Sequence, residues 1–387
     1  MKVTATAREV ISYRLLAGDV LITKDSETWD DIAIPCLVTE SASDLICGYH
    51  LAIIRPDERK LFSRFLLRCL QADHIKQQFQ VAASGITRFG LPKAVIGSSL
   101  IPIPPLKIQQ IVCRVLDEAL ETIAALIAKK QRLIELLDEK RAALISRAVT
   151  QGLDPNVPMK DSGVEWLGRV PLAWDIKRLS QVAESIQTGP FGSQLHADDY
   201  IEGGVPVINP SDLADGSIHL EGAATVSHET SQQLRRHRLS EGDVVLARRG
   251  ELGCCGVVTR IEENWLCGTG SARVRPARGK LLGHFLKFVI SIRGCKEQLE
   301  LASVGATMDN LNARSIGRLV IPIPPLPYQE AITTECLAIG SQINALINLT
   351  VAVIDLLREY RSALITAAVT GQLDIREHEK KMEALAS

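Results

Sequence analysis

The chain repeats itself at a fixed offset, and this internal repeat limits the folds that are available to it. The segment IPIPPL at 101–106 recurs unchanged at 321–326, and AALISRAVTQGLD at 142–154 aligns with SALITAAVTGQLD at 362–374 with 8 of 13 positions identical. The register also holds upstream, where Phe65-Leu66 aligns with Phe285-Leu286. A long period that occurs twice indicates a duplicated domain with an attached helix, not a solenoid. We therefore predict an internal pseudo-twofold repeat, which suits the reading of a two-part target.

A long helix is predicted after each copy of IPIPPL. Pro104 and Pro105 end any element before them, and the sequence then favours a helix to about Val149. A narrow apolar seam at 3-4 spacing predicts that the helix pairs with its repeat copy as an antiparallel coiled coil. Gly152 and Gly371 are expected as left-handed cap residues just past the helix ends. The predicted seam consists of Ala119, Ile123, Leu126, Leu133, Leu137 and Leu144, with copies at Ile339, Ile343, Leu346, Val353, Leu357 and Leu364.

The part of the chain between the helices has a different pattern. VPVINP, GDVVLARRG, CGVVTR and SARVRP are short β-like runs separated by Gly and Pro, and an amphipathic helical stretch follows at 281–301. The predicted fold class is mixed α/β: two domains with small twisted sheets, separated by two long helices. The predicted bounds are 1–105 for the first domain, 106–155 for the first helical spacer, 156–325 for the second domain and 326–387 for the second spacer and tail.

Composition narrows the function classes without selecting one. The net charge of −1 does not by itself indicate nucleic-acid binding. Local clusters of basic residues could still contact phosphates, as in Arg235-Arg236-His237-Arg238 and Arg248-Arg249. The nine cysteines contain no CxxC pair, and Cys254-Cys255 is interpreted as a pair of buried small hydrophobes. No signal peptide and no apolar run of ~20 residues is apparent, so a cytoplasmic protein is predicted.

Enzyme motifs do not fit this sequence. An adenine methyltransferase needs a [DN]PP[YF] loop, but Asn209-Pro210 continues with Ser211-Asp212. There is no GxxxxGK[ST] phosphate loop, and the eight histidines are scattered without a metal-ligand spacing. We predict a non-catalytic chain with no metal site.

Three motif types in this order resemble one family. KDSGVEWLGRVPLAWDIKRL at 160–179, the loop QTGPFGSQL at 187–195 and the junction of IPIPPL with a long helix are similar to the specificity subunits of type I restriction-modification enzymes. The resemblance implies two target-recognition domains that each read one half of a bipartite double-stranded DNA target. It also implies two methyltransferase subunits and restriction subunits as partners. S-adenosylmethionine, ATP and Mg²⁺ would be bound by those partners, and no cofactor is expected in this chain.

The first domain departs from the family pattern. About 105 residues precede the first IPIPPL, and Met1 to Ala17 align roughly with 225–241. The first domain is therefore expected to lack counterparts of the 160–179 motif and of the 187–195 loop. A shortened start and a split or shuffled form both remain open. We expect sharp base discrimination by the second domain and weak discrimination by the first.

Candidate DNA-contacting residues lie in loops that follow β-like runs, where backbone N–H groups, amides and guanidinium groups can reach phosphates or base edges. In the first domain the repeat alignment transfers the prediction to equivalent positions, with Lys24 over Arg248. The candidates in the second domain are Gln187, Thr188, Gly189, Phe191, Gly192, Ser193, Gln194, Arg248, Arg249, Gly250, Ser303, Gly305, Thr307 and Asn310. Those in the first domain are Lys24, Ser84, Gly85, Thr87 and Arg88.

Two other functions remain open. A coiled-coil adaptor that bridges proteins without binding DNA explains the helices equally well, but not the duplicated α/β domains. An inactive or split specificity-subunit fragment would explain the short first domain. Ile127, Ile134, Ile347 and Ile354 are predicted to form an apolar stripe beside the seam that docks partner helices.

Overall fold

The computed structural model describes residues 5–42, 45–191, 194–214, 216–219, 221–303 and 311–374. The chain divides into two compact units, and each long helix contributes its first part to one unit and its last part to the other. Unit 1 comprises 1–134 and 348–387, and unit 2 comprises 135–347.

Unit 1 is built from short elements before the first long helix. Its first helix begins with a capping box, because the Thr6 hydroxyl accepts from the Glu9 backbone N–H and the Glu9 carboxylate accepts from the Thr6 N–H. Its main sheet is antiparallel with the order β3-β1-β4, and β2 pairs with β5. In chain order the elements are α1 (Ala7–Tyr13), β1 (Val20–Thr23), β2 (Asp25–Ser26), β3 (Pro35–Leu37), β4 (Leu51–Ile54), α2 (Ser63–Gln71), α3 (Asp73–Ala82), β5 (Phe89–Gly90), α4 (Lys93–Ser98) and α5 (Leu106–Gln151).

Unit 2 has the same plan with more strands. Its strands from chain start to end are β6 (Met159–Asp161), β7 (Arg169–Pro171), β8 (Asp175–Arg178), β9 (Ala183–Thr188), β10 (Tyr200–Ile201), β11 (Val205–Ile208), β12 (Leu213–Ala214), β13 (Ser217–Ile218), β14 (Thr225–Val226), β15 (Val244–Ala247), β16 (Cys255–Val257), β17 (Leu266–Cys267), β18 (Ser271–Pro276) and β19 (Val320–Ile323). Its helices are α6 (Leu179–Val182), α7 (His228–Gln233), α8 (Gly283–Ser291), α9 (Arg293–Ser303), α10 (Ala313–Gly317) and α11 (Leu326–Val369). Three short 3₁₀ turns lie at Ala197–Asp199, Pro210–Asp212 and Arg235–His237.

The sheets of unit 2 confirm the four predicted β runs and add others. The central sheet has the order β16-β15-β18-β9, and a second four-stranded sheet has the order β10-β14-β11-β17. The remaining strands form the pairs β12-β13, β19-β8 and β6-β7. Within β18, Ala272 and Val274 point into the apolar core while Arg273 and Arg275 point to the other face, as the period of two requires.

The structure divides the helical stretch predicted at 281–301 into two helices. Helix α8 ends at Ser291, and α9 begins at Arg293. Ile292 between them has an extended backbone (φ −77°, ψ 151°), and its carbonyl accepts from the Cys295 N–H. Ala72 interrupts the equivalent helices of unit 1 in the same way. Amphipathic spacing alone did not reveal this break, because both helices bury one face in the same core.

The two long helices pack as an antiparallel pair. In unit 1 the first part of α5, including Leu116 and Ile123, shares a core with Leu364 and Ala368 at the end of α11. In unit 2 Val149 at the end of α5 shares a core with Ile332 near the start of α11. Gly152 (φ +80°) and Gly371 (φ +73°) follow the two helices with left-handed backbone, as predicted.

The predicted seam is partly wrong. Leu126, Leu133 and Leu346 are exposed, whereas Ile127, Ile134 and Ile347 are half-buried and Ile354 is buried. The least exposed stripe of α5 begins with the buried residues Leu116, Leu120 and Ile123. It continues with the half-buried residues Ile127, Lys130, Ile134, Leu137, Arg141 and Leu144. Both candidate stripes have 3-4 spacing, so periodicity could not separate the seam from the stripe one residue beside it.

The expectation about apolar runs is also corrected. Helix α11 is long and apolar enough to cross a membrane by length and composition. One such helix is weak support for a membrane span, and α11 carries Gln342, Asn344 and Asn348 in that region. Its apolar surface is considered below as a protein-docking surface.

A buried glutamine at the start of each long helix ties that helix to its own α/β domain. The Gln109 amide donates to the carbonyls of Lys60 (2.9 Å) and Pro104 (2.7 Å) and accepts from the Phe62 N–H (2.8 Å). The Gln329 amide makes the same three bonds, to Lys280 (2.9 Å), Pro324 (2.8 Å) and Leu282 (2.9 Å). Both side chains are 0% exposed. We call this arrangement the glutamine clamp.

We predict that the clamp is a major local source of stability. Gln329→Leu removes three buried hydrogen bonds and leaves two carbonyls and one N–H without a partner, which should lower the free energy of unfolding by about 3 kcal/mol. The matched control is Gln232→Leu at an exposed helical position, which should change it by less than about 0.5 kcal/mol. Urea denaturation of the two variants measures the difference. Equal stability of the two variants would show that the clamp is not a stabilising contact.

Candidate DNA interface

Three loops of unit 2 meet at one edge of the central sheet. Thr188 at the end of β9 lies opposite Ala272, and Ala247 at the end of β15 lies opposite Ser271 at the start of β18. The segments that leave β9 and β15 and the segment that enters β18 are therefore neighbours. We call this the loop edge of unit 2, and its described residues are 189–191, 194–195, 248–254 and 268–270. Six of the predicted site residues lie on it, namely Gly189, Phe191, Gln194, Arg248, Arg249 and Gly250, and Gln187 and Thr188 directly precede it.

Close backbone packing holds the base of these loops. The Gly189 N–H donates to the Ser271 carbonyl at 2.9 Å, and a Cβ at Gly189 would lie only 1.8 Å from the Gly268 carbonyl oxygen. A Cβ at Gly268 would in turn meet the Asn209 side chain. The glycine that was predicted as a DNA contact is thus required for the fit of two loops.

Gln187 is held by a buried arginine. The Arg273 guanidinium donates to Gln187 Oε1 at 3.0 Å and to the Arg238 carbonyl at 2.7 Å. Burial is the largest influence on Arg273 and lowers the pKa of its guanidinium from the ordinary value. Arg273 therefore joins the end of β9 to the basic segment 235–238.

That basic segment lies against the start of the 189–195 loop. His237 Nδ1 is 3.2 Å from the Thr188 carbonyl, so Nδ1 carries the proton and donates. Burial lowers the pKa of His237, with a smaller contribution from the charge of Arg236, and the ring is neutral near pH 7. Arg235 and Arg236 are exposed. Two exposed positive charges are thus placed beside Thr188.

The two arginines after β15 have different environments. Arg248 is buried, and its guanidinium donates to the carbonyls of Leu311 (2.6 Å) and Thr269 (3.2 Å). The Leu311 N–H donates back to the Arg248 carbonyl at 3.0 Å. Burial lowers the pKa of Arg248. Arg249 is exposed, and Gly250 follows it with a left-handed backbone (φ +74°).

The remaining candidates of unit 2 differ in their exposure. Phe191 is exposed, and its N–H donates to the Gln194 side chain at 3.2 Å while the Gln194 N–H donates to the Phe191 carbonyl. Ser303 is buried, and its hydroxyl donates to the Glu300 carbonyl within α9, so its side chain faces the protein. Gly192, Ser193, Gly305, Thr307 and Asn310 lie outside the described residues.

Unit 1 repeats part of this edge. The Leu91 N–H donates to the Lys24 carbonyl at 2.7 Å, which is the counterpart of the bond from Leu311 to Arg248. Ser84 and Gly90 exchange two backbone hydrogen bonds that close the loop between them. Gly85 (φ +150°) is needed there, because a Cβ would lie 1.9 Å from the Arg88 carbonyl oxygen. Thr87 and Arg88 are exposed on this closed loop beside Lys24.

A charged cluster in unit 1 has no equivalent among the described residues of unit 2. Asp25 accepts from His50 Nδ1 at 2.8 Å and lies 3.7 Å from Arg88 Nε. The hydrogen bond from His50 is the main cause that lowers the pKa of Asp25. The Lys24 ammonium sits 4.2 Å above the centre of the Tyr49 ring. Asp25, His50 and Arg88 thus anchor the 84–90 loop to β2.

Sequence reasoning missed the residues that hold the loops in place. Arg273, Asp25, His50 and the 268–270 segment position the predicted contacts and were not selected. The alternation of Arg273 and Arg275 with Ala272 and Val274 was a usable signal that both arginines leave the core face of one strand. Among the described residues no group of three or more His, Cys, Asp or Glu side chains could hold a metal ion.

Known proteins share this sequence pattern and fold. Residues 171–347 match the family of type I restriction modification DNA specificity domains. The type I restriction enzyme EcoBI specificity subunit of Escherichia coli is 24% identical over 64% of this chain and 53% of its own length. The putative type I restriction enzyme MjaX specificity subunit of Methanocaldococcus jannaschii is 22% identical over 87% of this chain and 74% of its own length. The chain thus spans about half the length of the first of these curated relatives.

Two solved structures share the fold. A chain from a study of complex assembly and conformational transition of the type I R-M system superposes with a TM-score of 0.73 at 21% identity, over 93% of this chain and 83% of that one. The HsdS subunit from Thermoanaerobacter tengcongensis gives a TM-score of 0.53 at 19% identity, over 93% and 82%. The mixed α/β fold with two long paired helices is confirmed, and residues 171–347 match the family that was predicted from the sequence.

Proposed function

We propose, from the premise that this chain belongs to the specificity subunits of type I restriction-modification systems, that it reads a bipartite double-stranded DNA target. Each unit would read one half of the target, and the chain would perform no chemistry itself. The adenine would be methylated by methyltransferase subunits, and restriction subunits would join that core. S-adenosylmethionine, ATP and Mg²⁺ would be bound by those partners. We place the complex in the cytoplasm, where the DNA is.

One observation supports DNA as the ligand. Arg249 is exposed at the loop edge of unit 2, and the exposed Arg235 and Arg236 directly precede His237, which contacts Thr188. The buried Arg248 and Arg273 hold the neighbouring segments. Exposed guanidinium groups attract phosphates, while buried ones fix the loops that carry them. A protein adaptor would not require exposed arginines beside loops that are fixed by buried arginines.

We propose two roles for the predicted site residues. Arg248, Gly189, Gly85, Ser84 and Ser303 would position the loops. Exposed side chains would contact the DNA, with phosphates bound by the cations and bases read by the amides and the hydroxyl. These are Gln194, Phe191, Arg249, Thr87 and Arg88, together with the exposed Gly250, and the half-buried Gln187, Thr188 and Lys24 lie beside them. For Gly192, Ser193, Gly305, Thr307 and Asn310 the proposal rests on their places in the sequence.

An apolar stripe on α11 supports docking of a partner. Leu349 is 64% exposed and Leu356 is 63% exposed, and their spacing of seven residues places both on one face together with Tyr360. Contiguous exposed apolar side chains on a long helix are typical of a protein-binding surface. We propose that a methyltransferase subunit covers this stripe, which replaces the stripe of Ile127, Ile134, Ile347 and Ile354 predicted from the sequence.

The alternatives predict other results. A coiled-coil adaptor would bind protein partners through the same stripe but would show no salt-dependent affinity for DNA. An inactive or split specificity-subunit fragment would bind partners and DNA without supporting methylation of a bipartite target. The following experiments separate these functions.

The two neighbouring arginines should separate DNA contact from loop positioning. Arg249→Ala should lower DNA affinity about equally for all sequences and reduce the slope of log K against log salt by about 1, with unchanged stability. Arg248→Ala should instead lower the free energy of unfolding by about 2 kcal/mol, because it leaves two buried carbonyls without donors. Fluorescence anisotropy at several salt concentrations and urea denaturation measure the two effects. An unchanged salt slope for Arg249→Ala would remove this residue from the interface.

The apolar stripe should be necessary for assembly. The double variant Leu349→Glu/Leu356→Glu should lose co-purification with the methyltransferase subunit of the same system. Methylation of a bipartite motif in the methylome should be lost as well. The control Ile261→Glu changes an exposed residue of unit 2, and both readouts should be retained. A methylome without any bipartite motif in the unchanged chain would contradict the proposed function itself.

The length of the long helices should set the gap in the target. Deleting one heptad from both helices, 128–134 and 351–357, should shorten the gap between half-sites and leave the bases unchanged. Seven residues of helix span about 10 Å, which corresponds to roughly three base pairs. Methylome sequencing reads both properties. Altered bases with an unchanged gap would exclude a role of the helices in spacing.

A further inference from the structure

Three elements of unit 1 are less buried than their repeat copies in unit 2. The elements are β4, α4 and the segment 100–103, and their copies are β18, α10 and β19. In unit 2 one continuous segment, from β8 through α6 to β9, covers all three copies. The comparison between the units therefore shows what kind of chain fits this surface.

In unit 2 the two strands of the covering segment complete two sheets. Strand β9 pairs with β18 from Ala272↔Thr188 to Arg275↔Ser185. Strand β8 pairs with β19 from Val320↔Arg178 to Ile323↔Asp175. Both edges are thereby supplied with backbone hydrogen bonds.

The turn between these strands fills an apolar pocket. Leu179 and Val182 of α6 are buried and share a core with Ile316 of α10 and Ile321 of β19. A Cβ at Gly317 would touch Ser180 and Ile186, so α10 lies directly against the covering segment. Two apolar residues three apart thus link the two strand pairings.

The same surface in unit 1 lacks this cover. Strand β4 is the edge of its sheet, and among the described residues no strand pairs with its second side. Leu51–Ile54 are half-buried, whereas the copies in β18, Ser271 to Val274, are buried. None of the six residues of α4 is buried.

The segment 100–103 is the most exposed part of the surface. Leu100 is 79% exposed and Ile103 is 59% exposed, whereas Ile323, the copy of Ile103, is 8% exposed. Three residues of this surface are the same in both units, because Ala52, Ile101 and Ile103 match Ala272, Ile321 and Ile323. An open strand edge beside apolar side chains is a template for strand addition.

We propose that β4, α4 and the segment 100–103 form a docking surface for a strand–helical turn–strand segment supplied by another polypeptide. We call it the acceptor surface. Its occupant has the pattern of 175–188: a strand, two apolar residues three apart in one helical turn, and a second strand. The occupant completes unit 1 as β8, α6 and β9 complete unit 2. A second copy of this chain is a poorer occupant, because its own segment is already paired inside its unit 2.

This inference does not depend on DNA being the ligand, so its test uses no DNA. The full chain is mixed with a fluorescent synthetic peptide of residues 171–190, and binding is followed by anisotropy. Amide hydrogen exchange then locates the peptide. We expect saturable binding together with new protection at 51–54 and 100–103.

Matched variants test whether the apolar turn and the acceptor surface carry the binding. The peptide with Leu179→Asp/Val182→Asp should bind at least about tenfold more weakly, as should the chain with Leu100→Asp/Ile103→Asp. Both changed residues of the chain are exposed, so its fold should be retained, which circular dichroism checks. The control Ile86→Asp alters a residue that is 98% exposed in the 84–90 loop and should bind the peptide normally.

Three results would overturn the proposal. They are no binding of the peptide, binding without protection at 51–54 and 100–103, and protection at these segments that needs no peptide and rises with protein concentration. The last result would identify pairing between copies of the chain. Each is distinguishable from failure of the proposed function, which is judged by methylation and by DNA affinity.

Discussion

The glutamine clamp is the contact on which the rest of the architecture depends. Because Gln109 and Gln329 are buried and each makes three hydrogen bonds to its own α/β domain, the start of each long helix is fixed to that domain. Because an α-helix is stiff and rises about 1.5 Å per residue, fixing its start also fixes the direction of the rest of the helix. Without the clamp, only apolar packing would hold the helix that follows the Pro-Pro junction against its domain, and their relative orientation would be less strictly defined.

A second repeated contact orients the central strand of each sheet. Asp19 and Asp243 are 1% exposed, and each accepts two hydrogen bonds from one arginine, Arg55 and Arg275 respectively. Although burial acts to raise it, the hydrogen bonds from Arg55 and the Leu16 N–H lower the pKa of Asp19 overall. A bidentate pair of this kind fixes both angle and distance. The strands β1 and β15 begin directly after these aspartates. Because the pair fixes the start of each strand, it also limits where the loop at the other end of that strand can lie.

The sequence predicted the features that follow from repetition and local chemistry, namely the duplicated domain, the long helices from Leu106 and Leu326 and their glycine caps. It did not separate the seam residue Ile127 from Leu126, because both stripes have the same spacing and only the partner helix decides between them. It also selected Arg248 and Arg249 together, since adjacent residues look alike in sequence although one points into the protein and the other into solvent. The residues that position the loops, such as Arg273, depend on strand pairing between distant segments, and no local pattern indicates their partners.

The two units show how one scaffold carries different surfaces. The bond from Leu91 to Lys24 repeats the bond from Leu311 to Arg248, so the backbone of the edge is the same in both. The side chains differ. The buried Arg248 guanidinium donates to two backbone carbonyls, whereas the Lys24 ammonium lies over the Tyr49 ring beside Asp25 and His50. Since the clamp and the aspartate–arginine pair hold the scaffold from the opposite end of the sheet, the loop residues can change without loss of the fold. The separation of these two regions within each unit allows the loop side chains of the two units to differ while the scaffold stays the same.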